Sequence, residues 1–192
     1  RLIAPRPREP VIPSRVDPSK TTGTLYLSNV YLGRNMDGPS TPLRAGMILA
    51  SQSSARLAML RAAGVAVEPQ PALVDEAAIK DSMIAEGAKA RDIADALAEA
   101  KARKVSRKFG QTLVLGCDQI LVTAERQILD KPETPEAARM QLAMLSGKTH
   151  RLISAAVICE NGEPVWRIVD SAQMTMRPLS EAFITQYVDD YW

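Results

Sequence analysis

From Met47 onward, apolar and polar residues alternate in two rhythms, one of strand length and one of helical period. Ile48-Leu49-Ala50 is a short unbroken apolar run, as expected of a strand buried on both faces. Leu57, Leu60 and Ala63 then share one helical face, with Ser53 or Ser54 as an N-cap and Gly64 as the stop. A second helix is expected over about Ile93 to Lys104, preceded by a shorter piece near 82–90 that Gly87 interrupts. Thr112-Leu113-Val114-Leu115-Gly116 again has the length and character of a central strand. Thr134-Pro135-Glu136 opens a further helix with a cap, a proline in the first turn and an acid near the positive dipole end. Leu142 and Leu145 supply its apolar face, and Gly147 ends it. Two strands, about His150–Cys159 and Pro164–Met176, flank Glu160-Asn161-Gly162-Glu163, where Asn-Gly predicts a tight hairpin. From Ser180 a last helix carries Ile184, Tyr187, Val188 and Tyr191 as a stripe. Alternating helices and strands with one hairpin predict an α/β fold: a mixed β-sheet with flanking helices.

Residues 1–46 show neither rhythm. Prolines at 5, 7, 10, 13, 18, 39 and 42 break any period, although Thr24 to Tyr31 could form one short strand. This stretch reads as a disordered or non-native leader, with 47–192 as the domain. The stripe from Ile184 to Tyr191 is still running at Trp192, so the domain is expected to lack its natural carboxyl-terminal part. The overall charge of +2 divides unevenly. The leader holds seven Lys/Arg against three Asp/Glu, and the rest holds 17 against 19, so the domain itself is slightly acidic. That balance argues against a nucleic-acid partner for the domain. A basic tail binding nucleic acid would rest on the leader alone.

No run approaches the ~20 apolar residues needed to cross a bilayer, and the amino-terminal residues lack the apolar stretch of a signal peptide. A cytoplasmic protein without a membrane partner is expected. Cys117 and Cys159 sit in apolar runs and are expected as reduced thiols. With His150 as the one histidine, no Cys/His zinc set can be assembled. Any metal must therefore be held by carboxylates, which suits Mg2+ or Mn2+.

Five segments carry groups suited to an anionic, metal-bearing substrate. Ser51-Gln52-Ser53-Ser54-Ala55-Arg56 joins a strand to a helix start, where N–H groups, hydroxyls and a guanidinium attract phosphate. Its bland reading is a serine cap with a surface arginine, and it lacks the spacing of a Walker loop. Asp118 directly follows the apolar run at 112–116, and carboxyl ends of strands collect ligands in α/β sheets. An acid there is as often a simple turn residue. Asp75-Glu76 pairs two acids ahead of a helix, a pair that is usually solvated. Lys101 falls on one row with Ile93 and Leu97, so its ammonium either snorkels to water or enters a pocket. Lys131-Pro132 precedes a helix, where the bland reading is a loop lysine.

The order and spacing of these segments is more specific than any one of them. Leu49-Ala50-Ser51-x-Ser53-x-x-Arg56, Asp75-Glu76, Leu97-Ala98-x-x-Lys101-Ala102, Leu115-Gly116-x-Asp118-Gln119, Lys131-Pro132 and Leu145-Ser146-Gly147-x-x-His150 together resemble the Maf-like family of nucleoside triphosphate pyrophosphatases. The resemblance spans about 47–192. It implies an α/β fold with a cleft between two lobes, related to the inosine triphosphatases. It also implies metal-dependent hydrolysis of nucleoside triphosphates, modified ones included, to the monophosphate and pyrophosphate. By motif, Asp118 is implied as the base that activates water, and Glu76 with Asp118 as the holders of a divalent cation, Mg2+ or Mn2+. Ser51, Ser53, Arg56, Lys101 and Lys131 are implied as the phosphate clamp. Gln119, in place of the threonine usual in the thymidine and uridine triphosphate branch, is similar to the branch acting on 7-methyl-GTP and is implied in substrate binding. Ala55 matches neither branch, Ser54 replaces a usual proline and Leu57 a usual second arginine, which leaves the preferred base open. The partners expected are the triphosphate and, at most, a second copy of the chain. The family's link to septum formation supplies the alternative, a non-catalytic nucleotide-binding regulator of cell division.

Overall fold

The computed structural model of the protein describes residues 46–192. The leader and its short expected strand at 24–31 lie outside the described residues. Among the described residues, six strands form one mixed sheet: β1 (Met47–Leu49), β2 (Val67–Pro69), β3 (Val114–Thr123), β4 (Ile128–Leu129), β5 (Thr149–Glu160) and β6 (Glu163–Thr175). Their spatial order is β2-β1-β3-β5-β6, with β4 alongside β3. β1 runs parallel to β2 and β3, whereas β3 is antiparallel to β4 and β5, and β5 to β6. The helices are α1 (Ser54–Ala62), α2 (Glu76–Ala85), α3 (Ala90–Phe109), α4 (Pro135–Leu145) and α5 (Glu181–Tyr191). The expected α/β architecture is therefore present. No helix among the described residues is long and apolar enough to cross a membrane.

The two faces of the sheet are covered by different helices. Ile93, Ala94, Leu97, Ala98 and Ala102 of α3 pack on Ile120, Ile153, Ala155 and Val157. On the other face, Leu49, Val67, Leu115 and Ile158 are covered by Leu57 and Leu60 of α1. Because side chains alternate along a strand, β3 turns Gly116, Asp118 and Ile120 toward α3, and Leu115, Cys117 and Gln119 toward the opposite face.

Several boundaries differ from those the pattern predicts. α2 begins at Glu76, six residues before the expected piece, because the Asp75 carboxylate accepts the Ala78 N–H at 3.0 Å and caps it there. It ends at Ala85, and Gly87, at φ +75°, takes the left-handed turn beyond. α3 is a 20-residue helix, longer at both ends than its stripe suggests. β3 does not stop at Gly116; it continues to Thr123 because β5 pairs with it along its whole length. Asp118 is consequently in the middle of a strand and not just past its end. The short β2 and β4 carry too few residues for any period to show. The hairpin is as expected, with Asn161 at φ +52° and Gly162 at φ +81°, the two left-handed residues of a type I′ turn.

One irregularity positions the site. β5 pairs with one edge of β3 from Val114 to Thr123. The other edge is covered by β1 at Val114 and Leu115, and by β4 at Leu121 and Val122. Between those two short strands no strand among the described residues covers the edge from Gly116 to Ile120, and Asp118 sits at its centre.

Candidate active site

Gly116 sets the first distance. A Cβ there would lie 2.1 Å from the Ala98 carbonyl oxygen and 2.7 Å from the Ala102 nitrogen, so α3 rests directly on the β3 backbone. That approach places Lys101, on the same turn of α3, beside the strand residue two positions on. Lys101 Nζ lies 2.7 Å from Asp118 Oδ1 and 2.7 Å from Glu76 Oε2. Lys101 and Asp118 are 7% and 8% exposed, while the Glu76 side chain is 53% exposed. The cluster thus runs from a buried acid through a buried ammonium to an acid facing solvent. Two carboxylates within reach of one ammonium remove the penalty that a lone buried charge would carry.

A second group approaches the bare edge from the turn between β1 and α1. Ser53 caps α1, its Oγ accepting the Arg56 N–H at 3.3 Å. Ser51 Oγ accepts the Ser53 N–H at 3.1 Å and a contact from Arg56 Nη1 at 3.4 Å. Arg56 Nη1 also donates to the Cys117 carbonyl at 3.2 Å, which fixes the guanidinium at the strand edge next to Asp118. Two hydroxyls, a guanidinium and a helix N-terminus therefore border the same five bare residues as Asp118, an arrangement suited to an anion.

The remaining candidates stand apart. Gln119 is exposed on the face away from Asp118, where its Nε2 donates to Ser154 Oγ at 2.9 Å. Lys131 is exposed and in no ion pair among the described residues, on the segment where the chain, leaving Leu129 opposite Leu121, turns back along β3. Burial pushes the Cys117 thiol, on the opposite face of the sheet from Asp118, above its ordinary pKa, with Arg56 and Lys101 pulling it partly back, so the sulfur stays protonated at neutral pH. Sequence reasoning missed the Cys117 carbonyl, since a main-chain acceptor leaves no mark in residue identity. It also missed Lys80, paired with Asp130; its one signal is a spacing of four residues from Glu76 on α2.

The donor set fits a hard divalent cation. No group of three or more His, Cys, Asp or Glu side chains converges among the described residues. Glu76 and Asp118 do converge, on a point now held by an ammonium. One or two carboxylates, completed by phosphate oxygens and water, is the usual way a protein holds Mg2+.

A family model described as Maf-like protein matches residues 46–192. The chain belongs to the Maf-like family. It is 49% identical over 146 residues to a nucleoside triphosphate pyrophosphatase of Sphingopyxis alaskensis, covering 76% of this chain and 74% of that protein. It is 44% identical over 142 residues to a 7-methyl-GTP pyrophosphatase of Brucella abortus, covering 74% and 71%. Among solved structures, a HAM1 protein from Coxiella burnetii aligns over 66% of this chain and 69% of that one, at 15% identity and a TM-score of 0.42. Of the motifs by which the chain resembles the Maf-like family, those holding Ser51, Ser53, Arg56, Glu76, Lys101 and Asp118 meet at or beside the middle of β3, while Lys131, Gln119 and the Leu145–His150 segment lie apart from them.

Proposed function

We propose that this Maf-like chain is a nucleoside triphosphate pyrophosphatase in which Asp118 activates the attacking water. The observation that supports this most is the position of Asp118: a buried carboxylate held by Lys101, midway along an edge that no strand covers among the described residues, with Arg56 fixed on the carbonyl of the preceding residue, Cys117. Lys101 occupies Oδ1, leaving Oδ2 for a water. The proton of that water passes to Asp118 as its oxygen attacks, the bond between the α- and β-phosphates breaks, and nucleoside monophosphate and pyrophosphate leave. Ser51, Ser53, Arg56 and Lys131 bind and orient the phosphate chain. Glu76 and Asp118 would hold Mg2+ or Mn2+, which supplies charge neutralisation on the phosphate oxygens. Phosphoryl transfer depends chiefly on positioning and charge, so this set is sufficient without a covalent intermediate. Lys101, expected in the phosphate clamp, has its ammonium on Asp118 and Glu76 in this structure and keeps the two carboxylates together.

For the base, 7-methyl-GTP is the first candidate, on the motif resemblance at Gln119 alone, since its side chain lies on the face away from Asp118; thymidine and uridine triphosphates are the comparison. The test is pyrophosphate release from a panel of triphosphates with and without Mg2+, using the chain and its Asp118→Asn variant. Glu76 remains a partner for Lys101 in that variant, so it escapes the roughly 3–5 kcal/mol cost of orphaning a buried charge and stays folded. Release is expected to need the metal and to fall by at least about a hundredfold in Asp118→Asn, as loss of a general base requires. An Asn variant as active as the parent would refute the mechanism. Tight binding without any release would make the protein a nucleotide-binding regulator instead.

A further inference from the structure

We infer that Asp130, through its ion pair with Lys80, is a positioning residue that sets where Lys131 stands on the segment beyond β4; this rests on the reading of Lys131 as a phosphate-binding group. Lys80 follows Glu76 by one helical turn on α2, so the element that brings Glu76 to Lys101 also brings Lys80 to the segment beyond β4. The Lys80 side chain is 15% exposed, whereas that of Asp130 is 73% exposed. An ion pair between two solvated groups would constrain little. A largely buried ammonium needs its partner, and its partner here is Asp130. Asp130 is held a second time through its main chain, its carbonyl accepting Gln141 Nε2 of α4 at 2.9 Å. Ile128, two residues earlier, packs with Ile79 and Met83 of α2 on the same apolar cluster.

Lys131 therefore lies between a residue fixed at both side chain and backbone and a proline, Pro132, which confines the preceding backbone to extended conformations. Its own side chain is exposed and in no ion pair among the described residues. Such a lysine has a determined backbone and a free ammonium, which suits it to meet a ligand. The fold does not need the Lys80–Asp130 pair to place β4, which already pairs with β3.

Electrostatics and positioning predict opposite signs. Asp130 is an anion beside a proposed anion site. If it contributed charge alone, neutralising it would tighten phosphate binding. If it positions Lys131, neutralising it loosens binding. The experiment measures the affinity of inorganic tripolyphosphate in Mg2+ by calorimetry for the full chain, Asp130→Asn, Lys131→Met and the double variant. Lys131→Met is expected to weaken binding roughly tenfold, the size of one charge-assisted hydrogen bond. Asp130→Asn is expected to weaken it roughly threefold or more, and to have no further effect once Lys131 is Met. Lys80→Gln leaves Asp130 and Lys131 unaltered, and so serves if Asp130→Asn fails to fold; it should show the same loss and the same dependence on Lys131. Tighter or unchanged binding in Asp130→Asn, or an equal loss with and without Lys131, overturns the inference and leaves the phosphate role of Lys131 standing. Wild-type affinity in Lys131→Met removes that role, and the inference with it.

Discussion

A methyl group at position 116 would stand 2.1 Å from the carbonyl oxygen of Ala98, a main-chain atom that cannot rotate away. Gly116→Ala must therefore push α3 off β3, and α3 carries Lys101. Overpacking of this kind costs about 1–3 kcal/mol. The substitution should lower stability by that amount in chemical denaturation. It should also reduce pyrophosphate release by more than the loss of folded protein explains, because Lys101 and Asp118 are drawn apart. Unchanged stability together with unchanged turnover would show that α3 does not rest on Gly116. The glycine is visible in the sequence as part of a motif, but its use is not. That use depends on Ala98 and Ala102 being the helix residues that face it, which emerges once the two elements are packed.

Among elements, the junction of α3 with the β5–β6 hairpin allows two kinds of contact to be compared. Ser106 is fully buried, and its Oγ accepts the buried Gly162 N–H at 3.0 Å. Arg167 of β6 reaches Asp95 at 2.6 Å and Glu99 at 2.7 Å on the outer face of α3, both exposed contacts. Orphaning a buried N–H costs about 1–3 kcal/mol, while exposed ion pairs are worth about 0–1 kcal/mol each. Ser106→Ala should therefore destabilise the protein more than Arg167→Ala does, although the arginine makes two ion pairs. Denaturant midpoints of the two variants decide it, and the reverse ranking would be contrary. At this scale the hairpin and the starts of α1, α4 and α5 were legible because local chemistry determines them: Asn161-Gly162 for the turn, and Ser53, Thr134 and Ser180 as caps. The extents of α2 and β3 were not. Asp75 caps earlier than the apolar stripe begins, and β3 persists because β5, some thirty residues on, pairs with it.

For the molecule as a whole, motif order was enough to indicate the α/β family fold, and it named Lys101 along with Asp118 and Glu76, the carboxylates that the fold brings within hydrogen-bond distance of its ammonium. The cause of their convergence was hidden. It lies in α3 resting on Gly116, which sets Lys101 beside Asp118, and in two strands of three and two residues, β1 and β4, that each cover one end of a long edge and leave its middle without a strand among the described residues. The same arrangement has a consequence for main-chain solvent exchange. Leu113 and Leu115 turn their carbonyls to β1, and Cys117 turns its own to Arg56, so alternation sends the N–H groups of Cys117 and Gln119 to the open side. Those of Gly116, Asp118 and Ile120 point to β5. Deuterium should enter this strand in a one-on, one-off rhythm, fast at 117 and 119 and slow at their neighbours, and tripolyphosphate should slow the fast pair. Uniform protection along 116–120 would mean the strand has a neighbour on that side after all.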